Sequence, residues 1–170
     1  VNETRNGILE VFQNMGAIME VVVDDEQAAE PTATITIATS SLKGTTIEGK
    51  IIPRLIDEIP VIAVAAAVAE GTTIIRDAQE LKVKESNRIY TVVTELSKAG
   101  VDINETEDGI IIKGGNPLKG TVFESYGDHR IAMSMAVAAL AANSTSTILD
   151  PDVINISFPK YFDMIKSLQK

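Results

Sequence analysis

The sequence predicts an α/β (α+β) fold that is built from repeated β-α-β-α-β-β units. Helix and strand patterns alternate along the whole chain, and the peptide Leu-Lys-Gly-Thr occurs twice, at 42–45 and at 118–121. Each copy leads into a short strand, a loop, an Ala-rich helix that opens with an aspartate (Asp57 or Asp128), and a Thr-rich strand. The same order of patterns after both copies indicates an internal repeat.

The first stretch of the chain matches the end of such a unit. Apolar residues on one side predict a helix over 4–15, and Gly16 ends it. The strict alternation of 32–38 predicts a strand, and the apolar segment 17–23 predicts a second one. We expect the acidic residues 24–26 to form the turn between the two strands.

The middle stretch forms a complete unit. Its predicted elements are, in order, a strand over 45–48, a helix over 57–69, a strand over 72–76, a helix over 85–99, and a hairpin of strands over 101–104 and 109–113. Pro60 falls in the first turn of its helix, where proline is tolerated because the N–H that it lacks has no helical partner there. Gly100 ends the second helix.

The last stretch begins a third unit without completing it. Its predicted elements are strands over 121–124 and 145–149 and helices over 128–142 and 159–168. Since no closing hairpin follows, we expect a domain that is incomplete at both ends, with its missing strands supplied from elsewhere in a longer protein. An uncovered sheet edge would also favour self-association of the chain.

Composition excludes several classes of protein. Apolar residues make up 45% of the 170 residues and aromatic residues only 4%, so Ile, Val, Leu and Ala must form the core. No apolar run reaches the ~18 residues of a membrane span, and the net charge of −9 argues against nucleic acid as a partner. The absence of cysteine and the single histidine argue against a metal site. No signal peptide opens the chain, so we expect a cytoplasmic protein.

The segment 127–133 sets the only histidine beside an arginine at a helix start. Asp128 suits an N-cap, because its carboxylate can accept the free N–H groups of the first turn. The positive end of the helix and Arg130 make a site for an anion, and His129 adds an imidazole that can donate or accept a proton. Taken alone, the segment is better explained as a capped helix that carries a surface His and Arg.

Two more polar segments lie at predicted helix starts. Lys84 and Arg88 are four residues apart, and Glu85 lies between them. Two cations are unfavourable at the positive N-terminal end of a helix, so their presence there indicates that an anion binds between them. Asp57 is either a simple N-cap or a carboxylate that faces a substrate hydroxyl. Since the repeat places Asp57 and Asp128 in equivalent positions, we expect the three helix starts to meet on one face.

These segments carry a family resemblance. RLIDEIP (54–60), LKVKESNRI (81–89) and GDHRIAM (127–133) resemble motifs of the 5-enolpyruvylshikimate-3-phosphate synthases, in that family's order. The resemblance implies two similar domains, each an inside-out α/β barrel of three units, with the active site between them. Residues 1–170 would be most of the C-terminal domain, and the N-terminal partner domain would be missing, so we expect this chain alone to be inactive.

The implied reaction transfers enolpyruvyl from phosphoenolpyruvate to the 5-hydroxyl of shikimate 3-phosphate, in the shikimate pathway to chorismate and the aromatic amino acids. It proceeds by addition and then elimination of phosphate, and it uses no metal or organic cofactor. By match to the family's motifs, Asp57 accepts the proton of the 5-hydroxyl, and Glu85 donates a proton to the methylene carbon and later takes it back. His129 is a third catalytic candidate that lines the same site.

The resemblance also implies the substrate contacts. Lys84 would bind shikimate 3-phosphate, and Arg88 and Arg130 would bind phosphoenolpyruvate, since a guanidinium fits phosphate and carboxylate in a bidentate manner. Asn87 departs from the family, where many members carry aspartate. A lysine that precedes Phe-Pro in some members is also missing, and we do not transfer its role to Lys160.

Two alternatives remain open at this point. A UDP-N-acetylglucosamine enolpyruvyl transferase shares the fold and the chemistry, but it ordinarily uses a reactive cysteine and lacks the Asp-His-Arg pattern. A non-catalytic domain of the same fold would not need three intact carboxylate and arginine motifs.

Overall fold

A computed structural model describes residues 1–24 and 31–168 of the chain. The α-helices are α1 (Gly7–Asn14), α2 (Ile59–Val68), α3 (Arg88–Lys98), α4 (His129–Ala141) and α5 (Tyr161–Leu168). The strands are β1 (Ile18–Val23), β2 (Ala33–Ala38), β3 (Thr46–Ile47), β4 (Thr72–Ile75), β5 (Asp102–Glu105), β6 (Ile110–Lys113), β7 (Val122–Phe123) and β8 (Thr147–Ile148). Short 3₁₀ helices cover Gly49–Arg54, Gln79–Val83 and Pro151–Ile156. This alternation confirms the predicted α/β fold.

The internal repeat is present in the backbone hydrogen bonds. β3 pairs with β4, and β7 pairs with β8, in parallel in both cases. Just before each pair, the N–H of Glu70 donates to the carbonyl of Leu42 at 2.8 Å, and the N–H of Asn143 donates to that of Leu118 at 2.8 Å. The two copies of Leu-Lys-Gly-Thr therefore begin the same structural unit.

The glycine of each copy lies where another strand passes too close for a side chain. A Cβ atom on Gly44 would lie 2.2 Å from the carbonyl oxygen of Thr72, and one on Gly120 would lie 2.2 Å from that of Thr145. Both distances are far below van der Waals contact, and the obstacle is backbone in both cases. This close approach explains why the repeat keeps glycine at the third position of the tetrapeptide.

The first stretch of the chain repeats the end of the middle unit. β1 and β2 form an antiparallel pair, as do β5 and β6. After α1, the N–H of Lys43 donates to the carbonyl of Met15 at 2.9 Å, and after α3 the N–H of Lys119 donates to that of Ala99 at 2.9 Å. The middle unit goes further, because β6 also pairs antiparallel with β4, which gives a sheet of order β3-β4-β6-β5.

The core lies between this sheet and the helices α2, α3 and α4. α2 contacts α3, α4 and β6, and seven of its ten residues are buried. The lack of charge in the Ala-rich helices predicts that both are the most buried helices of the chain. This is right for α2 and wrong for α4, in which six of 13 residues are buried, compared with six of 11 in α3. None of the helices in the described ranges combines the length and apolarity that crossing a bilayer requires.

All five helices begin one to three residues later than predicted, and for two of them the contacts give a local reason. α2 begins at Ile59 rather than at 57, since the preceding loop winds into the 3₁₀ helix Gly49–Arg54 and a turn. α3 begins at Arg88 rather than at 85, because the side chain of Asn87 accepts a hydrogen bond from the N–H of Tyr90 at 3.1 Å and caps the helix there. An amide oxygen caps a helix as well as a carboxylate does. The helix therefore starts at the same residue although Asn87 stands where many family members carry aspartate.

Several sheet edges have no second partner within the described part of the chain. β2 pairs with β1 alone, and β8 pairs with β7 alone. Apolar side chains of the first pair, among them Ile18 and Ile37, are exposed. Of the predicted acidic turn at 24–26, residues 25 and 26 lie outside the described residues, as do 27–30.

The hydroxyl of Thr73 on β4 gives a stability prediction. Its Oγ1 is buried and has no hydrogen-bond partner among the described residues. Thr73→Val keeps the shape and removes the unpaired group, so we expect the free energy of unfolding to rise by about 1 kcal/mol. Urea denaturation measures the change. Thr72→Val, on the exposed side of the same strand, is the matched control and should stay within about 0.5 kcal/mol of the parent. A lower free energy of unfolding in Thr73→Val would contradict the claim that the hydroxyl of Thr73 is buried without a hydrogen-bond partner.

Candidate active site

Arg88 joins the three polar segments into one cluster. Its side chain is 1% exposed. Its Nε donates to Oδ2 of Asp128 at 2.8 Å, its Nη1 donates to Oδ1 of Asp57 at 3.1 Å, and its Nη2 donates to Glu85. The loop before α2, the loop before α3 and the start of α4 are thus held together at one guanidinium, as expected from the sequence.

Asp128 fixes the start of α4. Its Oδ1 accepts the N–H of Arg130 at 2.9 Å, which makes it the N-cap, and its Oδ2 also accepts the hydroxyl of Ser86 at 3.0 Å. The side chain is fully buried. Burial alone would raise the pKa of Asp128, but the hydrogen bonds and the charge of Arg88 lower it below its usual value. Asp128 is therefore a buried, ionised partner of Arg88.

Asp57 lies in the turn before α2 and does not cap that helix. The N-cap position belongs to Glu58, and no side chain caps α2. The oxygens of Asp57 instead face arginines: Oδ2 accepts a hydrogen bond from Arg5 at 2.8 Å and forms an ion pair with Nη2 of Arg130 at 3.1 Å, and Oδ1 accepts a hydrogen bond from Arg88. The alternative of a simple N-cap is therefore wrong, and so is the expected equivalence of Asp57 with Asp128.

The three guanidinium groups determine the charge state of Asp57. Burial would raise the pKa of this carboxyl, but the charge of Arg130, the hydrogen bond and charge of Arg5, and the charge of Arg88 together lower it. Asp57 is ionised at neutral pH, as a proton acceptor must be. The same arginines occupy both of its oxygens in this arrangement.

Lys84 and Glu85 lie outside α3, which corrects the expectation that Lys84 and Arg88 share a helical turn. Lys84 follows the 3₁₀ helix Gln79–Val83 and forms an ion pair with Glu80. Glu85 is about half exposed (48%) while it holds Arg88. A carboxylate that is attached to a buried arginine on one side and open on the other can reach a bound molecule.

His129 is the first residue of α4 and is half-buried. No hydrogen bond joins its side chain to residues 1–24 or 31–168 in the structure. Its imidazole is consequently free to turn toward a ligand that approaches the start of α4.

Glu95 supports the loop before α4, a role that no sequence pattern above predicts. Glu95 lies on α3 and its side chain is fully buried. It accepts the hydroxyl of Tyr126 at 2.7 Å, the N–H of Glu124 at 3.0 Å and the ammonium of Lys98 at 2.7 Å. Burial and the nearby Glu95 carboxylate raise the pKa of Tyr126. A signal was available, since a glutamate three residues after Val92 falls on the buried side of α3.

A cavity of about 240 Å³ opens beside the cluster, between α2 and α4. Asp57, Glu58 and Arg130 line its polar end, and Met133 and Tyr161 line its apolar end. The hydroxyl of Tyr161 donates to the carbonyl of Met133 at 2.8 Å and so faces away from the cluster's charges. The cavity gives a small molecule access to Asp57 and Arg130.

The site is close to electrically neutral. The guanidinium groups of Arg5, Arg88 and Arg130 face the carboxylates of Asp57, Glu58, Glu85 and Asp128. Among the residues that the structure describes, no three His, Asp or Glu side chains are grouped to hold a metal ion. The arrangement is suited to binding anions by exchange of ion pairs and to moving protons through carboxylates.

Comparison with known proteins identifies similar sequences and structures. Residues 1–165 match the family model described as EPSP synthase (3-phosphoshikimate 1-carboxyvinyltransferase). The chain is 56% identical over 168 residues to a 3-phosphoshikimate 1-carboxyvinyltransferase of Desulforamulus reducens, covering 99% of this chain and 39% of the relative. It is 55% identical over 170 residues to one of Bacillus cereus, covering 100% of this chain and 40% of the relative. The chain thus spans about two fifths of the length of these curated relatives.

Solved structures agree with the fold. An EPSP synthase from Acinetobacter baumannii superposes with a TM-score of 0.93 at 39% identity, over 98% of this chain and 39% of that one. The enolpyruvyl transferase NikO from Streptomyces tendae superposes with a TM-score of 0.72 at 22% identity, over 96% of this chain and 35% of that one. The second likeness shows a shared fold alone.

The buried pair of Arg88 and Asp128 gives a stability prediction. Arg88→Met leaves Asp128 buried without its counter-charge, so we expect a loss of about 3–5 kcal/mol in the free energy of unfolding at pH 7. In the variant, uncompensated burial raises the pKa of Asp128. The deficit relative to the parent should therefore shrink as the pH falls and the carboxyl takes up a proton.

Urea denaturation at pH 7 and pH 5 measures both effects. Arg130→Met is the matched control, because Arg130 is partly exposed (28%) and its ion pair with Asp57 should contribute only about 0–1 kcal/mol. Equal losses in the two variants would show that burial of the Arg88 pair is unimportant. A deficit that did not change with pH would show that Asp128 is not the group left unpaired.

Proposed function

The chain belongs to the EPSP synthase family, and from this premise we propose that it forms one side of the active site of a 3-phosphoshikimate 1-carboxyvinyltransferase. The observation that supports the proposal is the cluster around Arg88. It brings a proton acceptor (Asp57), a half-exposed proton donor (Glu85) and an anion-binding arginine (Arg130) from three loops to one place.

The chemistry requires a series of proton transfers that two carboxyl groups can carry out. Asp57 removes the proton of the 5-hydroxyl of shikimate 3-phosphate as the oxygen bonds to C2 of phosphoenolpyruvate. Glu85, which must enter this step as the carboxylic acid, gives its proton to C3, which becomes a methyl group. Glu85 then takes a proton back from this methyl group as the C2–O bond to phosphate breaks. The double bond is restored, the proton from the hydroxyl leaves with phosphate, and Glu85 ends in its starting state.

The arginines bind the anionic groups of phosphoenolpyruvate. Arg130 is partly exposed at the cavity, and its present partner is the Oδ2 atom of Asp57. A phosphate or carboxylate that replaces Asp57 on Arg130 and on Nη1 of Arg88 gains bidentate hydrogen bonds. The same exchange releases Asp57 to accept a proton. Lys84 lies next to Glu85 and is our candidate contact to shikimate 3-phosphate, and His129 lines the same site.

A second domain is part of the proposal. Two anionic substrates need an excess of positive charge, whereas three arginines face four carboxylates in this chain. The relatives are more than twice as long as the stretch that matches, so the remaining cations can come from there. The part of the longer protein that lies outside this chain would also supply strands that pair with β2 and β8. Without those strands, the open edges of β2 and β8 would favour association between copies of this chain. A cytoplasmic location stays a prediction from the sequence.

The alternatives are less well supported. The UDP-N-acetylglucosamine transferase is not favoured, because the matching family model and the relatives above carry the EPSP synthase description. A non-catalytic role does not explain why Asp57, Glu85 and Arg130 lie together.

The two-domain proposal predicts that this chain alone has no enzymatic turnover. Purified chain is mixed with phosphoenolpyruvate and shikimate 3-phosphate, and the release of phosphate is followed. The complete enzyme that contains this chain, under the same conditions, is the positive control. Turnover by the isolated chain at a rate like that of the complete enzyme would overturn the need for a second domain.

The assigned roles predict different kinetic effects in the complete enzyme. Asp57→Asn and Glu85→Gln should each lower kcat by roughly 10²–10⁴-fold, because each removes a positioned acid or base. Arg130→Ala should chiefly raise the KM for phosphoenolpyruvate. Glu48→Gln is the matched control, since Glu48 pairs only with the exposed Arg76 among the described residues and should leave both constants unchanged. A near-normal kcat in Asp57→Asn would remove Asp57 from the role of base.

A further inference from the structure

Arg5 reaches the proposed base from a part of the chain that no site motif covers. It lies in the segment before α1, 52 residues from Asp57, and its Nη2 donates to Oδ2 of Asp57 at 2.8 Å and to Oε1 of Glu58 at 3.1 Å. Its side chain is about half exposed (50%). A surface ion pair of this kind contributes little to stability. Stability therefore does not explain why the guanidinium of Arg5 lies beside the carboxylate of Asp57.

The segment that carries Arg5 is itself held in place. Nε of Arg54 donates to the carbonyl of Glu3 at 3.1 Å, and its Nη2 donates to the side chain of Asn6. Arg54 lies at the end of the 3₁₀ helix that precedes Asp57. The backbone on both sides of Arg5 is therefore attached to the same loop that carries Asp57, which fixes where the Arg5 guanidinium can reach.

The partners of Asp57 divide into two kinds. Under the proposed function, Arg88 and Arg130 are taken by the anionic substrate during turnover. Arg5 approaches Oδ2 from the side of the N-terminal segment, and it is absent from the residues that line the cavity. Arg5 is consequently the partner that can stay on Asp57 when the other two arginines turn to the substrate.

We propose that Arg5 is a positioning residue for Asp57: it holds Oδ2 throughout the reaction and thereby presents Oδ1 to the substrate hydroxyl. This inference rests on the proposed function and adds to it a residue outside the family motifs quoted above. A carboxylate without a fixed partner turns easily, because the torsion between its sp³ and sp² carbons has a broad minimum. A guanidinium on one oxygen prevents that rotation.

Arg5 also keeps Asp57 ionised at the stage when its other partners have left. The charged groups that face Asp57 or its arginines are Arg5 and Glu58 near the loop, Glu85 and Arg88 at the start of α3, and Asp128 and Arg130 at the start of α4. Burial raises the pKa of Asp57, and Arg5 opposes this rise. Loss of Arg5 should therefore raise this pKa and move the acid limb of the kcat profile to higher pH.

The test compares Arg5→Gln and Arg5→Lys in the complete enzyme, with kcat and KM measured from pH 5 to 9. In Arg5→Gln we expect kcat at neutral pH to fall roughly 10-fold and the acid limb to move upward by about 0.5–1 pH unit. The KM for phosphoenolpyruvate should change less than about twofold, because Arg5 is not a substrate ligand. Arg5→Lys keeps the charge, so it should restore the limb while recovering only part of kcat.

The matched control is Arg76→Gln, which removes an exposed arginine that pairs with Glu48 away from the cluster and should leave the profile unchanged. The double variant Arg5→Gln with Asp57→Asn should be no slower than Asp57→Asn alone, since Arg5 acts through Asp57. An unshifted acid limb with normal kcat in Arg5→Gln overturns the inference, as does a raised KM with normal kcat. The proposed function fails separately, by an absence of turnover in the parent enzyme.

Discussion

The arrangement of the site depends on the buried guanidinium of Arg88. One planar group reaches the N-cap of α4 through Asp128, the turn before α2 through Asp57, and the loop before α3 through Glu85. A buried charge is costly unless it is paired and its donors are satisfied. The stability of the fold thus requires these carboxylates to surround Arg88, and the position of the catalytic candidates follows from that requirement.

The repeat explains why these loops lie at one end of the domain. Each parallel pair, β3 with β4 and β7 with β8, is connected through an Ala-rich helix that starts beyond the end of its first strand. Gly44 and Gly120 allow a second strand to cross close to the start of each unit. Since both units have the same geometry and their helices α2 and α4 pack against each other, the loops that precede these helices open side by side.

Local sequence patterns predict most of this fold but only part of its site. Alternation, helical periodicity and glycine stops place the strands and helices, because those signals depend on near neighbours. The 3₁₀ helix Gly49–Arg54 is different, since the N–H of Gly49 donates to Asp77, which is 28 residues away. The meeting of the three polar segments on one face was predictable because all three lie at predicted helix starts, whereas the central place of Arg88 was not predicted. The contacts of Arg5 and Glu95 were not predictable, because they join residues 52 and 29 positions apart and neither Arg5 nor Glu95 lies in one of the three site motifs.

The arginines and carboxylates of the site neutralise one another, and these ion pairs affect the order of anion binding and proton transfer. A carboxylate that is held by three arginines is ionised but has little tendency to accept a proton. When an anion takes Arg130 and the Nη1 group of Arg88, two of the charges that lower the pKa of Asp57 turn to another partner. Burial then raises its proton affinity at the moment when a hydroxyl has to be deprotonated. Under the proposed function, the anionic substrate that takes the two arginines activates the base for the hydroxyl of the other substrate. Hydroxyl deprotonation before that anion has bound is disfavoured by the same ion pairs that hold the empty site together.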